Sequence, residues 1–425
     1  MLLKQILPLV LLVSIFSCNS EKVTNSEDYN QFLSTTIDQE ELYETANFWT
    51  NKLNASLNQH PYMVQRASAY NQIFSQTGNI DYLIMAEHDL IEANKLTDYK
   101  VAGYLKSLAS NYISQHRFKE AIELLKKAEK NGEKLNGTKK MLFDVHLELG
   151  NYILAESYLK EIKNPTDFDY LIRLAKWEDH KGNLDAAIEN LEKAMAIAES
   201  SNLKPIRQWS YTNIADFYGH AGLIEKSYNH YLKALQLDPN DAYAKKGIAW
   251  ILYSHESNPD EALKVLNHIS TYYTAPDYSL LKAEIADFKK DQNLKSESME
   301  NYSQTVQNVK YGDMYNKYNV MVFTEEENQP SLALDIAKRE VENRPTPQSY
   351  DLLAWSYFKN GDVEKAKEIT EKYVEGKTFE PEVLYHSAEI YKAAGLHNKV
   401  KPLKKELIAS LYELGPVMKT KIEQL

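Results

Sequence analysis

The chain predicts an all-α solenoid built from repeated helix–turn–helix units, and three observations carry that expectation. Glycine (14) and proline (13) are scarce in 425 residues of which 43% are hydrophobic, a balance that suits helices joined by short turns. Leu42, Ala46, Trp49, Leu53 and Leu57 follow one another at helical steps and make one apolar stripe on a polar segment. Thirdly, one pattern of residues returns along the chain at a nearly constant interval, the mark of stacked repeats.

The first 17 residues, "MLLKQILPLVLLVSIFS", carry Lys4, an apolar run and then Ser17 before Cys18, the only cysteine in the chain. That plan predicts a secretory signal, and the run is too short to span a bilayer. Ile15-Phe16-Ser17-Cys18 resembles the lipobox of bacterial lipoproteins. The resemblance implies that residues 1–17 are removed, that Cys18 becomes the first residue, and that it is acylated. A multiply acylated terminus anchors firmly where one chain alone is marginal. Asn19 is not the aspartate linked to inner-membrane retention, which points to the outer membrane. Glu21, Glu27 and Asp28 resemble the export signals of Bacteroidetes lipoproteins. Whether the periplasmic or the surface face is meant stays open. A lone cysteine excludes an internal disulfide framework.

Residues 18–37 are polar and unpatterned and are expected to be a flexible tether holding the body ~25 Å from its anchor. Asp38 then opens a helix with Glu41 three residues on, and residues 38–62 are expected to close the front of the solenoid.

The clearest repeat is "WSYTNIADFYGHAGLIEKSYNHYLKALQLDPN", with Tyr211, Ala215, Tyr218, Gly222, Tyr231, Ala234 and Pro239. A second, "SYDLLAWSYFKNGDVEKAKEITEKYVEG", has Tyr350, Ala354, Tyr357, Gly361, Ala366 and Tyr373 at the same spacings. These units resemble the tetratricopeptide repeat, a helix–turn–helix. In that register units begin near 64, 102, 136, 168, 208, 242, 279, 314, 347 and 381. Large residues fill the space between paired helices, Ala215 and Ala354 let backbones approach, and glycine ends the first helix in the left-handed conformation. His116 stands where a turn glycine is usual, the unit near 242 has one residue too many, and the unit near 279 is poor. The solenoid is therefore divided into 63–310 and 311–425, with a hinge or packing junction expected near 279. The segment after Gly395 and the tail to Leu425 are expected to cap the back. No insertion between helices is expected to exceed about six residues.

Chemistry is thin. There is no phosphate-cradling GxxxxGK[ST], no GxGxxG, no GxSxG and no HExxH. The 11 histidines are scattered without ligand spacing, and with 60 carboxylates a pair such as Asp351 and Glu325 carries no weight. No catalytic residue, metal site or cofactor is assigned, and the chain is expected not to be an enzyme. The formal charge of −11, without a basic block, argues against nucleic acid as a partner.

A surface does emerge. In the tetratricopeptide family positions two, five, nine and twelve of each unit line the concave groove. From 208 onward these positions include Trp209, Tyr243, Trp250, Tyr253, Tyr315, Tyr318, Trp355, Phe358 and Tyr385, whereas the four earlier units place no aromatic there. Asp216, Asp287, Glu325, Asp351 and Glu389 share the later face. A groove so lined suits an extended peptide or a helix with apolar anchors and positive charge. A shift of one residue in register would instead put the same aromatics in the core. The resemblance implies a scaffold or adaptor, lipid-anchored through Cys18, for one or more proteins of the bacterial envelope. The alternative is a surface glycan-binding lipoprotein of a nutrient-uptake system, which would stack sugars on the same rings; a companion of a transporter or secretion complex is a third reading.

Overall fold

The computed structural model describes residues 22–35 and 38–425. The leader and Cys18 lie outside the described residues. Every element among those described is helical, and no helix is long and apolar enough to cross a membrane.

Ahead of the repeats come α1 (Ser26–Tyr29), a 3₁₀ turn (Asn30–Leu33) and α2 (Gln39–Ala55). Asp38 caps α2 by accepting from the backbone N–H groups of Glu40 and Glu41, and Ala46 and Leu53 are buried where α2 packs on the first repeat. The helix stops two residues earlier than the apolar stripe predicted, so Leu57 is exposed beyond it.

Ten antiparallel pairs follow. They are α3 and α4 (His60–Thr77, Ile80–Leu96), α5 and α6 (Ala102–Ser114, Phe118–Asn131), α7 and α8 (Leu135–Glu148, Tyr152–Glu161), and α9 and α10 (Phe168–His180, Leu184–Ser201). Next come α11 and α12 (Lys204–His220, Ile224–Leu237), α13 and α14 (Ala242–Trp250, Pro259–Ile269), and α15 and α16 (Asp277–Lys289, Gln292–Val306). The last three are α17 and α18 (Asn316–Glu325, Pro330–Asn343), α19 and α20 (Pro347–Lys359, Val363–Ile369), and α21 and α22 (Pro381–Ala393, His397–Ala409). Two short helices, α23 (Leu411–Leu414) and α24 (Met418–Glu423), end the chain.

The pairs form for the reasons the pattern implies. Ala215, Ala249 and Ala354 are completely buried at the crossings, and Tyr218 and Tyr231 fill the space between helices. His116 takes the left-handed turn position at φ +59°, the conformation that glycine adopts in other units. The surplus residue of the 242 unit is absorbed by a π-helical turn, Ile251–His255, that continues α13. The unit near 279 is a regular pair. The irregularity follows it, in the nine-residue link 307–315, longer than any connection expected. Its 3₁₀ turn buries Tyr311 against Ile80 and Leu83 of α4.

That contact belongs to a seam, because the solenoid returns on itself after six units. The Thr274 N–H donates to the Thr77 carbonyl (2.8 Å), Lys310 pairs with Asp81 (2.6 Å), and Arg344 pairs with Glu148 (3.1 Å). Gly78 and Gly150 need their identity twice over. Both have positive φ, and a Cβ would lie 2.7 Å from the Ala275 nitrogen or 2.9 Å from the Pro345 carbonyl oxygen across the seam.

The expected tether is corrected by residues 22–35, which are folded onto the outer helices 200 residues away. The Val23 and Thr24 N–H groups donate to Glu256 (2.9 and 2.7 Å), the Tyr228 hydroxyl donates to the Asn25 carbonyl (3.0 Å), and Tyr29 donates to Glu261 (3.2 Å). Tyr29 and Phe32 join the core formed by α11 to α15. At the other end Ile422 is buried against the last pair, while Lys392 and Lys404 donate to the carbonyls of Gln424 and Glu423.

Candidate functional site

The first helix of each pair faces inward, so the return of the solenoid encloses a central space. On its later side a cavity of about 580 Å³ is bounded by Trp250 of α13, Leu281 and Glu284 of α15, Tyr318 and Met321 of α17, Trp355 of α19 and Tyr385 of α21. A neighbouring cavity of about 470 Å³ shares Lys246, Trp250, Lys317 and Tyr318. Charges inside are arranged in pairs between units, one pair joining neighbours and the other skipping a unit. Lys246 meets Asp277 (2.8 Å) and Lys317 meets Glu382 (2.5 Å). Burial pulls each of these lysines toward neutrality, but the adjacent carboxylate outweighs it and both are held above the ordinary lysine value. Glu284, accepting from the Tyr253 hydroxyl at 3.0 Å, is pushed up to about 7 by burial.

Of the nine aromatics predicted for the groove, six reach the cavities, in three pairs, and three do not. Trp250 and Tyr318 are partly exposed on the cavity wall. Tyr243 and Tyr315 line a smaller adjoining space beside Lys246 and Asp277, Tyr243 donating to Asp216 at 2.6 Å. Trp355 and Tyr385 show only an edge to the cavity. Trp355 is 3% exposed, stacked on His386 at 4.1 Å and donating to Glu325 at 3.1 Å. The rest are corrections. Tyr253 is fully buried, because it falls in the π-turn, where the extra residue rotates it out of the groove register into the core. Trp209 packs edge-on against Phe168 of the preceding unit, and Phe358 packs against Trp355; neither reaches the cavities described.

Two segments match sequence profiles of the tetratricopeptide repeat, residues 210–241 and 348–375. The chain is a tetratricopeptide-repeat protein. No curated protein sequence matches it. Among solved structures it is similar to human IFIT1, a dimer bound to m7Gppp-AAAA, at 15% identity over 78% of this chain and 76% of that one, TM-score 0.49. It is also similar to YrrB, a tetratricopeptide protein with an unusual peptide-binding site, at 19% identity over 47% of this chain and 96% of that one, TM-score 0.28. A tetratricopeptide protein of Parabacteroides merdae matches at 15% identity over 60% of this chain and 96% of that one, TM-score 0.34.

Within the repeats, several residues of the site were passed over in the sequence. Lys246, Gly219 and Glu382 occupy inward positions of their units, and the register located them although only aromatics and selected acids were taken from it. The C-terminal crossing had no signal. Residues 410–418 run from α22 across the inner face of α21 to α11 and α13. The Tyr412 carbonyl accepts from Trp250 Nε1 (3.0 Å) and from the Ser254 hydroxyl (2.7 Å), and Gly415 sits over Glu284 and Trp250.

The arrangement is one of recognition. Asp351 and His386 form a buried pair at 2.8 Å beneath Trp355, and Glu325 is held by Trp355 and Lys359, so these acids serve one another and the fold. Among the described residues no group of three or more His, Cys, Asp and Glu is placed to hold a metal ion. What the cavity offers is apolar area and paired charges, with the Trp250 N–H already holding the Tyr412 carbonyl.

Proposed function

We propose that this tetratricopeptide-repeat protein is a non-enzymatic adaptor that holds protein partners by a peptide segment inside its ring of repeats, anchored to the bacterial envelope through Cys18. The supporting observation is the convergence of Trp250, Tyr318, Lys246 and Lys317 on one space that already holds a peptide backbone by side-chain donors. Carboxylates outnumber the lysines around the larger cavity, which favours a segment that brings positive charge beside its apolar anchors.

The docked N-terminus sharpens the anchoring reading. Val23 is held at Glu256, so the five residues from Cys18 span at most about 17 Å even fully extended. An acyl anchor at Cys18 would thus tie the body to the membrane close to the outer helices α12 and α14, with outer-membrane delivery as the expected destination.

Two measurements test the reading. Full-length wild type, Trp250→Ala and Tyr318→Ala are compared for thermal melting and for capture of envelope proteins. A partner kept by wild type and lost by variants that melt alike supports the adaptor; identical capture by all three overturns the site. Separately, Cys18→Ser should move the protein from the membrane to the soluble fraction and abolish incorporation of labelled fatty acid.

A further inference from the structure

The crossing made by residues 410–418 resembles a ligand more than a cap. Capping of the last pair is shared: Ile422 of α24 is buried on it, two lysines bind the carbonyls at the end of α24, and Leu411, Leu414 and Met418 are half-buried against the same core. The segment ahead of α24 keeps that contact and in addition reaches beyond its own repeat to units five and six, where a cap alone would not need to go. Its grip there is specific but sparse. The Tyr412 ring lies on Gly219 of α11, where a Cβ would approach to 2.9 Å, and its carbonyl takes the two donors from Trp250 and Ser254. Leu414 lies two residues on, bordering both cavities. Volumes of about 580 and 470 Å³ remain on either side of it, so the groove is occupied without being filled. Gly415 and Pro416 follow, the glycine at φ +79°, and separate this stretch from α24.

We propose that residues 410–418 are an internal stand-in for the partner, and that the site takes an external segment carrying an aromatic residue followed two positions later by an aliphatic one, in place of Tyr412 and Leu414. This rests on the adaptor reading and deepens it. The aromatic ring docks on Gly219, the carbonyl beside it takes Trp250 Nε1 and the Ser254 hydroxyl, and the aliphatic residue enters between the cavities. The partner competes with the chain's own segment, so its apparent affinity is reduced by the fraction of molecules whose groove is closed.

The test uses full-length protein and a fluorescent peptide of residues 409–418, read by anisotropy. Tyr412→Ala vacates the ring site and should tighten peptide binding by at least about tenfold over wild type. Adding Gly219→Leu fills the vacated site and should abolish the gain. Leu414→Ala provides a second way of loosening the segment if Tyr412→Ala folds poorly, and amide exchange at residues 411–415 reports the release directly. No gain in a folded, released variant overturns the proposal. So does a dimer in which the segment of one copy occupies another, because the occupant is then a second copy. Loss of the proposal is distinguishable from loss of the adaptor reading. If the peptide fails while partner capture still depends on Tyr318, the segment is a structural plug and the adaptor stands; if both fail, the groove is not a binding site.

Discussion

Two segments, residues 22–35 and 410–418, fold back to the middle of the solenoid, one on the outside and one on the inside, and they do so on different terms. The outer end, residues 22–35, buries Tyr29 to 2% exposure and Phe32 to 8% and gives two backbone N–H groups and a hydroxyl to the single carboxylate of Glu256. The inner end places Tyr412 and Leu414 only half-buried, with open volume on both sides. A segment whose polar groups are satisfied and whose side chains complete a core is part of the fold. One that underfills its site is held by a margin that another peptide can exceed. The comparison therefore separates a structural staple from an exchangeable occupant.

The largest effect expected from breaking this contrast is at Tyr29. Tyr29→Ala removes a ring from the α11 to α15 core and should cost about 3–5 kcal/mol, the range for large aromatic truncations, read by urea unfolding. A cost below about 1 kcal/mol would make the outer end as loose as the inner one. Glu256→Ala is next. It leaves the Val23 and Thr24 donors without their acceptor and should cost about 1–3 kcal/mol, with amide exchange rising at residues 22–26 before the repeats respond. Trp250→Phe is milder. It keeps most of the ring area and deletes only the donor to the Tyr412 carbonyl, so unfolding should shift by about 1 kcal/mol or less while residues 411–415 lose protection.

The staple and the occupant are also the two features that sequence reading missed, and for the same reason. The repeats are legible because most units carry the same local marks: a small residue at the crossing, a large one before the turn, and a turn residue at positive φ, usually glycine but His116, Ser257, Lys290 or Asn328 in four units. Even the surplus residue near 242 was visible, although not that it forms a π-turn that buries Tyr253. Residues 22–35 and 410–418 carry no such period. Their places are fixed by a few contacts across about 230 and 160 residues, and nothing in a polar stretch marks which distant carboxylate or indole it will meet. The same holds for the lysines. The register put Lys246 inside, but its pairing with Asp277 depends on where the next unit begins. Aromatic residues were overvalued because inward position and exposure are different properties: Trp355 faces inward and is still 3% exposed, since His386 covers it.

The remaining effect is the most specific to the inner end, and it follows from the charge that the crossing brings with it. Glu413 enters a space faced by Asp216 and His220 of α11, Asp179 of α9, Lys246 of α13, Lys317 of α17, and Glu380 and Glu382 at the start of α21. Burial first, then the charges of Glu380 and Asp179, push the Glu413 carboxyl up to about 7. His220 lies 3.8 Å from the Glu413 carboxyl, but burial lowers its own value and so weakens the relief it can give. A carboxyl whose value is higher docked than free holds its proton more tightly in the docked state. Docking is therefore at full strength below the free carboxylate value of about 4.3, weakens as pH rises toward 7, and is level above that. With one proton linked, release should approach a decade per pH unit between about 5 and 6.5. Amide exchange at residues 411–415, corrected for the chemical rate, should show a more open segment at pH 8 than at pH 5.5, while residues 22–35 stay unchanged. Glu413→Gln should flatten the dependence and hold the segment closed at pH 8. If wild type shows no such slope, the carboxyl titrates alike docked and free, and pH does not govern the inner end.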